Sequence, residues 1–204
     1  MVTMCITGKD AHENVNGARK LIADSIVSLD GYFTSAKNDI DSWFDFNQEE
    51  WFWSIDILRR VDAVLCGRIS YEEFSKFWPT VEPQTEGGKI IAPLLNGLPK
   101  IVFSRTLIDT PWKPATIVRE DSVGAIAKLK REPGKDMVVI GSGTLVSALL
   151  RAGLIDEYYI RVRPIILGAG RPLFVDPNAR HPLKLISASA FKNGVIGLHY
   201  QPLQ

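Results

Sequence analysis

The sequence predicts an α/β protein: a three-layer αβα arrangement around a mostly parallel mixed sheet, with an antiparallel hairpin at the C-terminal end. Three observations carry this. Short apolar, strand-like runs alternate with helix-period segments along the chain, the pattern of a parallel sheet covered by helices. Glycine turns stand where such a run meets a helix, at Gly67 and at Gly141-Ser142-Gly143. Near the end, Asn193-Gly194 separates two further strand-like stretches, a tight-turn signal.

The elements follow in order. Residues 1–18 are polar and aperiodic and are expected to be a disordered or artefactual leader, leaving 19–204 as one domain. Residues 20–28 read as the first strand and 29–48 as a loop, with turn signals at Asp30-Gly31 and Asn38-Asp39. A helix is predicted over 49–60: Trp51, Ile55 and Leu58 share a face, and Arg59 and Arg60 suit its C-terminal end. A short buried strand (63–66) leads through Gly67 into a helix (69–77), and a further helix (88–95) stops at Asn96-Gly97. Strands at 100–104 and 116–118 precede a helix over 122–130, capped by Asp121 or Ser122 and ended by Pro133-Gly134. The strand 137–140 turns on Gly141-Ser142-Gly143-Thr144 into a helix with Leu145, Leu149 and Leu150 on one side. A strand (157–162), a glycine-rich loop (167–174) and the hairpin 183–191/195–200 complete the chain, without internal repeat or low-complexity linker.

Composition narrows the function. The 204 residues, 46% hydrophobic and 23% charged, suit a globular core. A net charge of +1 gives no argument for nucleic acid or an anionic membrane. No apolar run reaches bilayer length and the start has no secretory h-region. Cys5 and Cys66 stand alone, and His12, His181 and His199 lack ligand spacing. These features predict a metal-free cytoplasmic protein. No Ser/His/Asp or Cys/His set is visible, which disfavours nucleophilic hydrolysis.

The chemistry concentrates at strand ends. A strand turning on glycine into a helix presents free N–H groups and the positive end of the helix dipole, a seat for phosphate. The Gly141–Leu145 stretch therefore predicts a phosphorylated small-molecule ligand, a dinucleotide in particular. It is not the common dinucleotide fingerprint, because Val146 stands where a third glycine would and 160–164 carries no carboxylate. Two other exits match it in kind: Gly67-Arg68-Ile69-Ser70 and Ser104-Arg105-Thr106. Together they predict a cationic rim in which Arg68 and Arg105 grip a phosphate.

Asp30, at the exit of the first strand, is either a turn residue or a group that holds a substrate hydroxyl or amide. The aromatic cluster Trp43, Phe44, Phe46, Trp51, Phe52 and Trp53 reads as core plus a dimer face, or as a stacking wall for a flat heterocycle. Asp45, Glu49 and Glu50 lie in the same region. They either complement the dipole of the following helix or supply an acid of raised pKa that donates a proton.

The ordered motifs Ser28-Leu29-Asp30-Gly31, Cys66-Gly67-Arg68-Ile69-Ser70-Tyr71, Ile140-Gly141-Ser142-Gly143-Thr144-Leu145, Gly153-Leu154-Ile155-Asp156-Glu157 and Pro164-Ile165-Ile166-Leu167-Gly168-Ala169-Gly170 resemble the reductase domain of the bifunctional riboflavin-biosynthesis deaminase-reductases and their stand-alone relatives, which share the dihydrofolate-reductase fold. The resemblance implies an enzyme that uses NADPH to transfer hydride to a small pyrimidine-, pteridine- or flavin-like acceptor. By motif, Gly141, Ser142, Gly143, Thr144 and Leu145 would hold the pyrophosphate. Gly67, Arg68, Ser70, Ser104 and Arg105 would hold the adenosine ribose and its 2′-phosphate. Asp30 would face the substrate, and Asp45, Glu49 and Glu50 lie where dihydrofolate reductases place a catalytic carboxylate early in the first helix, Asp45 and Glu50 being the candidates for that role. A homodimer is likewise implied. No zinc signature of a deaminase appears, so a riboflavin-pathway step would need a separate partner. The other reading is a dimer that keeps the fold and binds a nucleotide without turnover.

Overall fold

The structure, a computed structural model, describes residues 19–37, 48–82, 85–175 and 180–203. The predicted leader lies outside these. In chain order the elements are β1 (Leu21–Ser28), β2 (Tyr32–Ser35), α1 (Gln48–Arg60), β3 (Val61–Gly67), α2 (Arg68–Phe77), α3 (Glu86–Gly97), β4 (Lys100–Phe103) and β5 (Ala115–Val118). They continue with α4 (Ser122–Leu129), β6 (Asp136–Ile140), α5 (Gly143–Arg151), β7 (Glu157–Arg163), β8 (Gly170–Pro172), β9 (Leu183–Ala190) and β10 (Ile196–Pro202). Eight strands form one sheet in the order β5-β4-β3-β6-β1-β7-β10-β9, and β2 and β8 pair separately. The first six strands of the sheet are parallel; β10 runs antiparallel to β7 and to β9.

The layers follow from the handedness of crossovers. The connections β1 to β3 and β3 to β4 travel one way along the sheet; β5 to β6 and β6 to β7 travel the other. Right-handed crossovers therefore place α1, α2 and α3 on one face and α4 and α5 on the opposite face. The two cores agree. Ile55 and Leu58 of α1, Tyr71 of α2, and Ile91 and Leu95 of α3 pack with Ile22, Val64, Val102 and Val138. Ile126 of α4 and Leu145, Val146 and Leu149 of α5 pack with Leu21, Ala23, Leu65 and Val139. β1 is covered on both sides, as a central parallel strand must be.

Local signals set several ends. Asp121, not Ser122, caps α4 by accepting the Gly124 N–H at 2.8 Å. Thr85 caps α3 through the Gly88 N–H, so that helix begins two residues earlier than predicted. Gly153 ends α5 with φ +63°; its N–H reaches Leu150 O and the Leu154 N–H reaches Leu149 O. The segment 29–48, predicted as loop, contains β2. That strand is four residues long, and among the described residues its strand partner is β8, far along the chain. Such a pairing leaves no local pattern to read.

One layer of the core is polar. β7 turns Glu157, Tyr159, Arg161 and Arg163 toward α1. Arg161 holds both oxygens of Asp24 on β1 (2.7 and 2.9 Å) and donates to Ser54 Oγ of α1 (2.6 Å). Arg163 holds Glu50 of α1 (3.0 and 3.3 Å). Glu157 accepts from Arg60 and Lys20, each at 3.0 Å, with His199 Nε2 standing 3.4 Å away and stacked on Tyr159. Burial pushes the Glu157 carboxyl up, but His199, Arg60 and Lys20 together pull it well below its ordinary value of 4.5. A carboxyl depressed in the folded state adds stability above its unfolded pKa, and that stability is lost as the pH falls below it. Glu157→Gln is thus expected to cost roughly 2 kcal/mol at pH 7. It should also flatten the loss of stability expected of the parent as the pH falls below the ordinary carboxyl value of 4.5; urea denaturation across pH measures both effects.

Candidate functional site

The carboxyl ends of parallel strands are where an open α/β sheet holds ligands. β4, β3, β6 and β1 are consecutive neighbours, so the exits Ser104-Arg105, Gly67-Arg68, Gly141-Ser142 and Leu29-Asp30 share one rim. The sheet also opens there. β1 pairs with β7 from Ile22 to Ser28, but with β6 only as far as Asp24, opposite Ile140. Among the described residues, 25–28 therefore have no strand paired to them on the β6 side, and the two strands part where β6 ends, the place where an open α/β sheet forms its ligand crevice.

The turn at that point has unusual backbone. Gly141 and Ser142 are both left-handed, at φ 59° and 61°. Among the described residues Ser142 is the one non-glycine with positive φ. It occupies the N-cap position of α5, yet its side chain makes no capping bond. The hydroxyl instead accepts the Gly67 N–H at 2.7 Å and lies 2.9 Å from Ser70 Oγ. Gly67 is the N-cap of α2 and offers no side-chain cap either. Two helix N-termini thus converge without side-chain caps, both attracting negative charge.

Only small residues fit around this point. A Cβ on Gly67 would lie 2.8 Å from Ser142 Oγ, and one on Gly141 3.1 Å from Ser70 Oγ. A Cβ on Gly143 would lie 2.3 Å from the Phe33 ring, because β2 lays Phe33 across the start of α5. Thr144 is exposed, whereas Leu145 is buried in the core, so Leu145 can offer the seat only its N–H.

The two predicted arginines differ. Arg68 is exposed and pairs along α2 with Glu72 at 2.8 Å. Arg105 is also exposed. Ser104 Oγ accepts the N–H groups of Thr106 (3.2 Å) and Leu107 (2.9 Å), folding the turn that carries Arg105. Arg119, at the exit of β5, donates to Arg105 O at 3.0 Å and Leu107 O at 2.9 Å, bracing the same turn. Sequence reasoning missed Arg119, although it directly follows a strand, as Arg68 does.

The predicted acids are all engaged or out of view. Asp30 Oδ1 accepts Ser28 Oγ at 2.6 Å and the Leu167 N–H at 3.2 Å; Oδ2 accepts the Gly168 N–H at 2.8 Å. The Ser28 hydrogen bond, ahead of a small opposing effect of burial, holds its carboxyl below the usual range. Asp30 is thus an exposed carboxylate that ties the loop after β1 to the loop after β7. Glu50 is fully buried and takes Asn193 Nδ2 at 2.7 Å as well as Arg163. Asp45 lies outside the described residues, as do Trp43, Phe44 and Phe46. Trp51 packs edge-on against Trp78, and Trp53 against Tyr159 and Phe191. These two rings pack against the core around α1, as the core part of the sequence reading has it, and not in a stacking wall; Phe52 alone of the α1 aromatics is largely exposed. The Asp24–Arg161 pair, beside the point where the sheet opens, had no sequence signal, since both residues sit inside strand runs.

This sheet order, with its carboxyl-end crevice and C-terminal antiparallel strands, is that of the dihydrofolate-reductase-like α/β proteins. A dihydrofolate reductase of Enterococcus faecalis, solved with NADP(H), superposes with a TM-score of 0.61 at 11% identity, over 91% of this chain and 97% of that one. Within that class the chain belongs to the RibD C-terminal domain family, whose model matches residues 19–197. The Bacillus subtilis protein YyaP, itself uncharacterised, is 32% identical over 183 residues, 89% of this chain and 94% of its own. A Shewanella sp. PV-4 protein assigned to riboflavin biosynthesis matches with a TM-score of 0.71 at 23% identity, over 91% of this chain and 99% of that one. The deaminase/5-amino-6-(5-phosphoribosylamino)uracil reductase of Thermotoga maritima matches at 0.66 and 13% identity, over 91% of this chain and 57% of that one. The family is that of a reductase domain. No described helix is long and apolar enough to cross a membrane.

The close approach of Phe33 gives a direct test of the turn. Gly143→Ala should destabilise the protein by roughly 1–3 kcal/mol through overpacking, and Phe33→Leu in the same chain should restore part of that loss. Thermal denaturation of the single and double variants reads both effects.

Proposed function

We propose that this protein is an NADPH-dependent reductase of a small heterocyclic acceptor, pyrimidine-, pteridine- or flavin-like. The observation that carries the reading is the meeting of the α2 and α5 N-termini at Gly67 and Ser142. The pyrophosphate of the dinucleotide would lie there, against the N–H groups of Gly143, Thr144 and Leu145, with Gly67, Ser70, Gly141 and Ser142 small enough to admit it. Arg105, on the turn braced by Ser104 and Arg119, and Arg68 would receive the 2′-phosphate of the adenosine ribose. Arg68 is the weaker of the two because Glu72 already shares its charge. The acceptor would enter the crevice beside residues 25–28, flanked by the loop that Asp30 holds in place.

When bound, the reduced nicotinamide supplies the hydride. The chain's own part is to bind, orient and exclude water. Asp30 suits a hydrogen-bond acceptor for a substrate hydroxyl or amide better than a proton donor, because three donors already hold its charged form. Two observations favour the second reading, a binding protein without turnover: Glu50 is locked to Arg163 and Asn193, and Asp30 is held as a carboxylate. Oxidation of NADPH on addition of a pterin, a flavin or a pyrimidinedione, above the rate without acceptor, would overturn that second reading.

The homodimer belongs to the same proposal. β9 is an outer strand of the sheet, and it exposes Leu185 and Ile186. Light scattering should give twice the chain mass, and a monomer mass at assay concentration would reject the dimer.

Calorimetry with NADPH and NADH tests the cofactor. NADPH is expected to bind the parent more tightly than NADH. Arg105→Ala should weaken NADPH about tenfold, the loss of roughly 1.4 kcal/mol, and leave NADH within about twofold. An equal loss for both nucleotides would remove Arg105 from the 2′-phosphate site. Binding of neither by the parent would overturn the cofactor assignment.

A further inference from the structure

Ser142 presents a contradiction. A serine in the left-handed region carries backbone strain that glycine would not. It follows Gly141, which has the same conformation. A residue at a helix N-cap ordinarily spends its hydroxyl on the helix it begins, yet α5 receives no such bond. The hydroxyl crosses instead to the other helix. Its oxygen accepts the N–H of Gly67, the N-cap of α2, at 2.7 Å. Ser70 Oγ, one turn into α2, meets the same oxygen at 2.9 Å. The fit is close enough that a Cβ on Gly67 would lie 2.8 Å from it.

We infer that the Ser142 hydroxyl is a displaceable stand-in for a phosphate oxygen. With no ligand bound, it places a neutral oxygen before the N–H at the start of α2, where a phosphoryl oxygen has the strongest electrostatic reason to sit. It thereby pairs a part-buried donor. A single rotation about χ1 moves the hydroxyl away without moving the backbone, since the left-handed conformation belongs to φ and ψ. An arriving phosphoryl oxygen then takes the Gly67 N–H, and Ser70 Oγ is freed to donate to it. The turn is kept in its ligand-ready shape, and the ligand must outcompete an internal oxygen to enter. A phosphate ester does so because a charged acceptor makes a stronger hydrogen bond than a hydroxyl; an uncharged ligand has no such advantage. Ser142 thus acts as a selectivity device for anionic ligands.

This inference rests on the reading of the seat as a pyrophosphate site. Ser142→Ala and Ser142→Gly test it, with NADPH and inorganic pyrophosphate as calorimetric probes and the ligand-free melting temperature as a third readout. Removing the internal competitor should tighten both probes about fivefold, the scale of one net hydrogen bond. Ser142→Ala should also melt below the parent, because it loses both hydroxyl contacts and keeps the strained backbone. Ser142→Gly loses the same contacts but relieves the strain, so it should melt above Ser142→Ala, and it carries the test if the alanine variant does not fold. Tighter binding by a less stable protein is a result that a purely structural hydroxyl does not produce. Unchanged or weaker binding of both probes by a folded variant would overturn the stand-in and leave the seat intact. A parent that binds neither probe would overturn the pyrophosphate seat itself, and the stand-in with it.

Discussion

The unequal pairing of β1 is the constraint on which the rest of the structure depends. β1 is hydrogen-bonded to β7 along seven register positions and to β6 along four. Were the two ladders equal, the sheet would be continuous to its rim and the Gly141 turn would lie flush against β1. Because β6 stops early, its turn is set back. α5 starts from behind the rim, and the last residues of β1 form a wall. The same offset brings Ser142 level with the end of β3, where it can reach Gly67. Crevice and helix convergence are thus two results of one register.

A second constraint fixes how far α1 stands from that wall. Asp24, Arg161 and Ser54 join β1, β7 and α1 through buried polar groups, and Glu50, Arg163 and Asn193 join α1, β7 and the β9–β10 turn. Buried ion pairs add little net stability compared with apolar packing, but removing one partner typically costs about 3–5 kcal/mol. Burial pushes the Asp24 carboxyl up, and Arg161 opposes that. The directed bonds of these pairs join α1 to β1, β7 and the β9–β10 turn at named atoms. At the N-terminal end of α1 the arrangement repeats at the surface, where Glu49 accepts the Lys192 N–H at 3.0 Å.

The parallel sheet, both helix layers and the terminal hairpin were legible in the sequence, because each rests on a local period or turn: Trp51, Ile55 and Leu58 along α1, or Asn193-Gly194 in the hairpin. The strand-end glycines and serines were legible for the same reason, and Gly67, Ser70, Gly141 and Ser142 do meet. What was illegible came from contacts distant in sequence. β2 exists because β8 lies beside it. Phe33 reads as a loop aromatic until Gly143 is placed under it. Glu50 reads as a candidate acid until Arg163 and Asn193, more than a hundred residues away, are seen to occupy it. Charge type is visible in a sequence; whether the charge is already spent is not.

The proposed phosphate seat draws on α2, which belongs to one hydrophobic core, and α5, which belongs to the other. The crevice wall is assembled from β1, β7 and α1. The two share a rim but almost no side chains. Backbone N–H groups and glycines make up most of the seat, and substitutions on α1 or at the end of β7 leave them untouched. The acceptor side of such a molecule is free to diverge while its nucleotide side stays constant. On the function proposed above, descendants of one ancestor could come to act on unrelated heterocycles without rebuilding the part that would hold the dinucleotide.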